Sequence, residues 1–434
     1  MTYPQTIDYL YSRLPVFHRI GKAAYKADLV NTLALCQHLG NPQHQFKSIH
    51  VAGTNGKGSV SHLLAAVLQS AGYKTGLYTS PHLKSFTERI RISGQPVPEQ
   101  FVVDFVEENK SFIEELAPSF FELTVGMAFD YFAREKVDIA VIEVGLGGRL
   151  DSTNVITPEL SVITNISWDH ANILGDTLEK IAAEKAGIIK PGVPVVISER
   201  QPDVEQVFIE KAAQENAPLL FADDEYVIVP LDMDNTMVGT RQIEVTDVTD
   251  GLSVYPLEIG LLGDYQAKNL AGVLKAVDVL SGKGWSIPAD ALSTGVREVV
   301  QLTGLKGRWQ ILAQHPLTIC DTGHNESGIR QITEQLGQLQ HRQLHIVMGT
   351  VNDKDLRKIL SLLPPKAAYY FCQANIPRAL EAAQLAEQAA AFGLQGTVIP
   401  DVNAALAEAR RRATADDVIF IGGSTFVVAE LDEL

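Results

Sequence analysis

Ile49-His50-Val51-Ala52-Gly53-Thr54-Asn55-Gly56-Lys57-Gly58-Ser59 runs from a short apolar strand into a glycine-rich loop that carries a lysine and ends on a hydroxyl. A helix follows at once: Val60, Leu63, Leu64, Val67, Leu68 and Ala71 recur on one 3.6-period face, and Gly72 stands where a cap is expected. Such a segment presents backbone N–H groups and a helix N-terminus to an anion, so it is expected to cradle the phosphates of ATP. Gly53, Thr54, Asn55, Gly56, Lys57, Gly58 and Ser59 are the candidate nucleotide-binding residues, with Lys57 on the outer phosphates and Ser59 helping to place a metal. The spacing is unusual. Only Thr54 and Asn55 separate Gly53 from Gly56, where a standard P-loop has four residues, and Gly58 is inserted before the hydroxyl.

At 434 residues the chain is too long for one ordinary core, and two or three domains are expected. Hydrophobic content of 46% and charged content of 20% are those of a soluble globular enzyme. A net charge of −16 argues against a nucleic-acid partner, which needs a basic footprint. Cys36, Cys320 and Cys372 are scattered without metal spacing and read as buried thiols in a reducing compartment. No secretion signal and no membrane-spanning run is visible, so a cytoplasmic location without membrane contact is expected. The terminal Leu431-Asp432-Glu433-Leu434 is read as a chance likeness to a retention tail.

Short Val- and Ile-rich runs at 137–144, 160–166 and 193–198 alternate with helical text, the pattern of a parallel sheet covered on both faces. Between about 220 and 260 the text turns β-rich, before a helix over 265–280. A second α/β series follows, with strands at 317–320, 344–348, 368–371, 397–399 and 418–421, and helices such as 329–339 and 378–392. The fold class is therefore α/β. A P-loop-type, mostly parallel sheet domain with helices on both faces spans 1–299, and a smaller Rossmann-like α/β domain spans 300–434.

Glu143 closes the apolar strand at 137–144, at the carboxyl edge where open α/β sheets bind ligands. A carboxylate there suits Mg²⁺, although an ordinary satisfied carboxylate would read the same way. The following Gly145-Leu146-Gly147-Gly148-Arg149-Leu150-Asp151 fails as a dinucleotide fingerprint, because Leu150 takes the place of the third glycine and no helical period follows. Trp168-Asp169-His170 follows the strand at 160–166, again at the carboxyl edge, where His170 reads as a structural histidine or as a metal ligand. Thr79-Ser80-Pro81-His82 and Phe86-Thr87-Glu88-Arg89 form a polar loop. There Ser80 can offer a hydroxyl to a metal and Arg89 a fork to a carboxylate, or both can serve a solvated turn. Glu184-Lys185 on a helix reads alone as a surface pair, and Phe120-Phe121-Glu122-Leu123-Thr124 as core packing.

Taken in order, these motifs resemble the folate branch of the Mur ligase superfamily, the folylpolyglutamate and dihydrofolate synthases. The likeness begins with Gly-Thr-Asn-Gly-Lys-Gly-Ser and runs from about residue 40 to Gly422-Gly423-Ser424. It implies Ser80, Glu143 and His170 as ligands of Mg²⁺, two ions in all, and Lys185 as a lysine often carbamylated beside them. It implies Asp151 and Phe121 on the pterin and Arg89 near the glutamate substrate. It implies Gln266 and Asn269 on the adenine side, Arg308 on the phosphates, and Asp321 and His324 as a pair closing over nucleotide and amino acid. Lys57, His170, Lys185 and Arg308 are the implied catalytic set. The family usually carries Asp-Gly-Ala-His-Asn-Pro where this chain has Asp321-Thr322-Gly323-His324-Asn325-Glu326, which leaves that loop's shape open.

The activity so implied is ATP-dependent ligation of L-glutamate to dihydropteroate or to a folate through an acyl phosphate. The expected partners are these small molecules, bound by a monomer. A peptidoglycan-precursor ligase of the same superfamily is the runner-up, and a non-ligating P-loop ATPase or kinase is the alternative from another class.

Overall fold

The apolar run ahead of the glycine loop forms strand β1 (Lys47–Ala52), buried beyond its first residue. The structure, a computed structural model, describes every residue except 17–20, 22–25, 27, 232–238, 250, 252 and 353–355. The chain divides into two compact units. Met1–Val229, Ile243–Glu258 and Ala267–Gly304 make the first, and Pro230–Gln242, Ile259–Gln266 and Leu305–Leu434 the second.

In the first unit β1 lies inside an eight-stranded sheet with β2 (Thr75–Tyr78), β3 (Ile90–Ile92), β4 (Gln95–Pro96), β5 (Ile139–Glu143), β6 (Leu160–Ile163), β7 (Val195–Ile197) and β8 (Leu219–Phe221). The order is β4-β3-β2-β5-β1-β6-β7-β8. The six strands from β2 to β8 across this order run parallel, and β3 and β4 close one edge antiparallel. Parallel strands covered on both faces need mostly apolar side chains, and β5 is Val- and Ile-rich, while β1 and β6 also bury the polar Ser48, His50 and Ser161. Register sets Val51 beside Glu143 and beside Val162, so three strand ends meet around the glycine loop.

The strand read at 137–144 is shorter at both ends. Val137 N–H closes the preceding helix on Phe132 O at 3.2 Å, and Asp138 N–H bonds Lys74 O at 2.9 Å. The helix over Lys57–Ser70 forms as its periodicity predicts, and Gly72 follows its cap at φ 90°. Helix Phe120–Arg134 carries a full capping box between Ser119 and Glu122, which fixes where it begins.

The β-rich stretch holds β9 (Tyr226–Pro230), β10 (Arg241–Asp247) and β11 (Ser253–Ile259) in the order β11-β10-β9. Part of that expectation, at 232–238, 250 and 252, lies outside the described residues. The helix after it runs Gln266–Gly282.

The second unit holds a six-stranded sheet of β12 (Gln310–Gln314), β13 (Leu317–Cys320), β14 (Leu344–Met348), β15 (Ala368–Phe371), β16 (Gly396–Val398) and β17 (Val418–Gly422), ordered β12-β13-β17-β14-β15-β16. Only β12 is antiparallel, a hairpin partner of β13 that period-based reading passes over because all its residues are half-buried. The helix read at 378–392 spans only Ala382–Ala390, since Glu381 is extended and Gln373 Oε1 accepts from Ala382 N–H at 2.9 Å. All three cysteines are buried and free. Among the described residues no helix is long and apolar enough to cross a membrane.

Helix Ala289–Arg297 presses against the helix that follows the glycine loop, and a Cβ added at Gly295 would stand 2.5 Å from Val67 Cα and 2.6 Å from Val67 N. Those atoms are helical backbone and cannot yield cheaply. Gly295→Val is therefore expected to destabilise by about 1–3 kcal/mol. Gly282→Ala, with nothing within 4 Å, should be neutral or stabilising by under about 1 kcal/mol. Thermal unfolding checks both, and a Gly295→Val protein melting with the wild type would refute the close approach.

Candidate active site

Gly53 leaves β1 at φ 144°, and any Cβ there would strike Thr164 Oγ1 at the end of β6. Only glycine fits, and the contact clamps the loop onto the neighbouring strand end. Thr54 N–H donates to Asn165 O at 2.8 Å, Asn55 N–H to Asn165 Oδ1 at 3.0 Å, and Ser167 N–H to Thr54 Oγ1 at 3.0 Å. Thr164 Oγ1 in turn donates to Asn55 O. Gly56, at φ 87°, leaves room for Asn269 Oδ1, so the structure brings Asn269 to the loop. Lys57, Gly58 and Ser59 open the helix, with Ser59 buried.

Lys57 Nζ donates to Gly53 O and Thr54 O, each at 3.1 Å. Lys185 Nζ donates to the same Gly53 O at 2.8 Å. The surface-pair reading of Lys185 is thus overturned, because the side chain is buried and Glu184 pairs instead with Arg149 at 2.7 Å. Burial, with Lys57 nearby, lowers the Lys185 amine from its ordinary 10.5 to about 7.

Glu143 ends β5 buried, and its Oε2 accepts from Ser80 N–H at 3.0 Å. His170 stands at φ 50° just before the short helix Ala171–Leu174, with its N–H on Asp169 Oδ1 at 2.9 Å and its ring 3.8 Å from Asp169 Oδ2. Among the described residues no three His, Cys, Asp or Glu side chains gather into a metal cage. Glu143 with the adjoining Ser80 still fits Mg²⁺, which takes one or two carboxylates and completes its shell with phosphate and water.

Asp151 is buried, and burial raises its carboxyl above the usual range despite several hydrogen bonds. Its Oδ2 accepts from Leu146 N–H at 2.8 Å and its Oδ1 from Thr153 N–H at 3.0 Å, capping the turn Ser152–Val155. Phe121 lies against Gly145, where a Cβ would come within 2.7 Å of Cε2, and 6.1 Å from the Tyr78 ring. Arg89 is buried. Its Nε donates to His82 Nδ1 at 2.8 Å, and the guanidinium lies 5.3 Å from the Phe120 ring centre.

In the second unit Asp321 accepts from Trp309 N–H and Gly323 N–H, each at 2.7 Å, and from Tyr265 OH at 2.6 Å. Burial raises its carboxyl. Arg308 donates to Gly307 O at 3.2 Å and to Thr322 Oγ1, whose hydroxyl reaches Gly307 O at 3.1 Å. Thr322, the departure noted in the sequence, therefore steadies Arg308. His324 Nδ1 lies 3.0 Å from Thr322 O. Gln266 is buried at the start of its helix. Sequence reading missed Thr164, Asn165 and Tyr265 and gave Thr322 no role. The first two follow a carboxyl-edge strand directly, a position that marks them once the sheet order is known.

A lysine depressed to about 7 in the fold and near 10.5 when unfolded is neutral only in the fold between those pH values. The unfolded chain then holds the extra proton, so this group's cost to stability is relieved as pH rises through that window. Between about pH 7 and about pH 9 the wild type should gain on the order of 2 kcal/mol relative to Lys185→Met. Denaturant unfolding at both pH values in CO₂-free buffer measures it, and parallel pH profiles would contradict the shift.

Residues 51–277 match the Mur ligase middle domain and residues 307–425 the Mur ligase glutamate ligase domain. The dihydrofolate synthase/folylpolyglutamate synthase of Bacillus subtilis is 32% identical over 420 residues, covering 94% of this chain and 95% of that protein. The structure of Mycobacterium tuberculosis folylpolyglutamate synthase complexed with ADP is similar at a TM-score of 0.86 and 31% identity, over 99% of this chain and 96% of that one. Escherichia coli FolC in complex with DHPP and ADP follows at 0.83 and 28%, again over 99% and 96%. With the glycine loop, the strand-end carboxylate and the buried lysine in place, this chain belongs to the folylpolyglutamate and dihydrofolate synthase family of Mur ligases.

Proposed function

We infer that this chain ligates L-glutamate to folates at the expense of ATP. The observation that carries the inference is full-length likeness to relatives named for that activity, joined to a first unit that holds the nucleotide loop and Asp151 together. The acid is dihydropteroate, a folate that already carries glutamate, or both.

A carboxylate oxygen of the folate-type acid attacks the γ-phosphorus, and ADP leaves. The acyl phosphate so formed turns a poor leaving oxygen into a good one. The neutral amine of L-glutamate attacks the acyl carbon, gives up a single proton and keeps the other as the amide N–H, and phosphate departs as the amide forms. Lys57, resting on loop carbonyls, turns to the phosphates and stabilises charge as it develops there. Arg89 is held by an imidazole nitrogen and an aromatic face, neither of them anionic, and pairs with a glutamate carboxylate. Phe121 and Asp151 hold the pterin.

Glu143, Ser80 and His170 are the proposed holders of Mg²⁺, which would neutralise phosphate charge. A lysine near 7 holds about half its population as the free amine at neutral pH, the form that adds CO₂, so Lys185 is proposed to serve as a carbamate. The resemblance assigns Gln266 and Asn269 to adenine, Arg308 to phosphate, and Asp321 and His324 to nucleotide and amino acid.

ADP release is expected only when a pterin acid and L-glutamate are both supplied. Release with neither acid nor amine, or with a UDP-sugar peptide in place of the folate, would sink the reading. Lys57→Ala should lower turnover by more than about tenfold, over roughly 1.4 kcal/mol of barrier, with the unfolding midpoint unchanged. A variant above that level would remove Lys57 from the phosphate site.

A further inference from the structure

His50 lies in the middle of β1 with no exposed surface, facing Ile142 of β5 and Ser161 of β6 in register. Its Nε2 is 2.9 Å from Thr153 Oγ1, and that hydroxyl is 2.5 Å from Asp151 Oδ1. The direction of this chain follows from counting protons. Asp151 accepts backbone N–H groups on both oxygens, so it acts as an acceptor, and the single Thr153 hydroxyl proton goes to it. Thr153 Oγ1 is then left to accept, and His50 Nε2 must carry the hydrogen. Burial, helped by Lys190, holds the imidazole neutral, with its proton affinity pushed down to about 3. Nδ1 therefore bears no proton, and it is buried without a partner among the described residues.

That orphaned nitrogen costs stability, and a leucine would fill the space without it. What the imidazole adds over a leucine is the Nε2–H. We propose that His50 is a positioning residue for the pterin site, holding the Asp151 carboxylate in one orientation through Thr153. The proposal rests on the reading of Asp151 given above. Oδ1 is gripped by the Thr153 amide and hydroxyl together, so the carboxylate cannot turn about its Cβ–Cγ bond without breaking both. A carboxylate meant to accept an N–H of a flat heterocycle on its remaining Oδ2 lone pair must hold its plane, and its selectivity depends on that. The nucleotide loop and the pterin carboxylate are thereby tied to one strand, the loop by its backbone and Asp151 by a side-chain relay.

His50→Leu should raise the KM for dihydropteroate by about tenfold or more, while ADP affinity changes by less than about twofold. His50→Gln, whose amide N–H can reach Thr153, should recover most of that loss. Thr153→Val should copy His50→Leu, and Thr153→Ser should not. Imidazole ¹⁵N NMR of the unaltered protein should show the His50 proton on Nε2, a readout that stands even if a variant fails to fold. The proposal is overturned by a proton on Nδ1. It is overturned too if His50→Leu keeps the wild-type KM while Asp151→Ala raises it, or if His50→Leu weakens ADP and pterin equally. If Asp151→Ala itself leaves pterin KM unchanged, the reading of Asp151 fails and the relay loses its purpose with it.

Discussion

The carbonyl oxygen of Gly53 accepts from two amines, Lys57 Nζ at 3.1 Å and Lys185 Nζ at 2.8 Å. Burial, and secondarily the charge of Lys57 on the same oxygen, brings the Lys185 amine down to about 7. The arrangement exists because Gly53 has no Cβ to strike Thr164, so β1 and β6 can bring their ends together around the loop. A residue with a side chain at 53 would push the loop from β6 and break the bonds that Asn165 and Ser167 make with it. The anion site and the tuned lysine both depend on that one close approach.

The same economy appears at the acidic groups. Asp151 and Asp321 are buried carboxylates, each raised by desolvation and each held by backbone N–H groups. Such residues stay in place through backbone and hydroxyl hydrogen bonds and not through surface ion pairs, so their geometry is insensitive to salt. Isolated features of this kind, a glycine loop or one buried acid, would not separate a ligase from a kinase. The glycine loop and Glu143 on one edge of the first unit's sheet, with relatives alike over nearly the whole length, do.

Much of the fold was legible in the text of the chain. The strands at 317–320 and 344–348 appear at the residues expected, because fully buried parallel strands write themselves as short apolar runs. Strand β12 and the capped helix start at Phe120 were not legible, since one is half-buried and the other depends on a Ser–Glu exchange that only coordinates reveal as closed. At the site, Lys57 and Glu143 follow from local rules about loops and strand ends. Lys185 does not: nothing in Glu-Lys-Ala-Gly says that its amine is buried against a carbonyl 132 positions away in sequence. The partners of Asp151 and Arg308 are likewise set by tertiary contact, which no periodicity encodes.

Ligation by this route requires the substrate carboxylate itself to take the phosphoryl group. Ligation with a pterin acid labelled with ¹⁸O in both carboxylate oxygens tests this most directly, read by mass spectrometry of the released phosphate and of the amide product. The acyl-phosphate route requires one labelled oxygen in inorganic phosphate and one in the amide carbonyl. Label recovered in AMP, or phosphate free of label while amide accumulates, would contradict it.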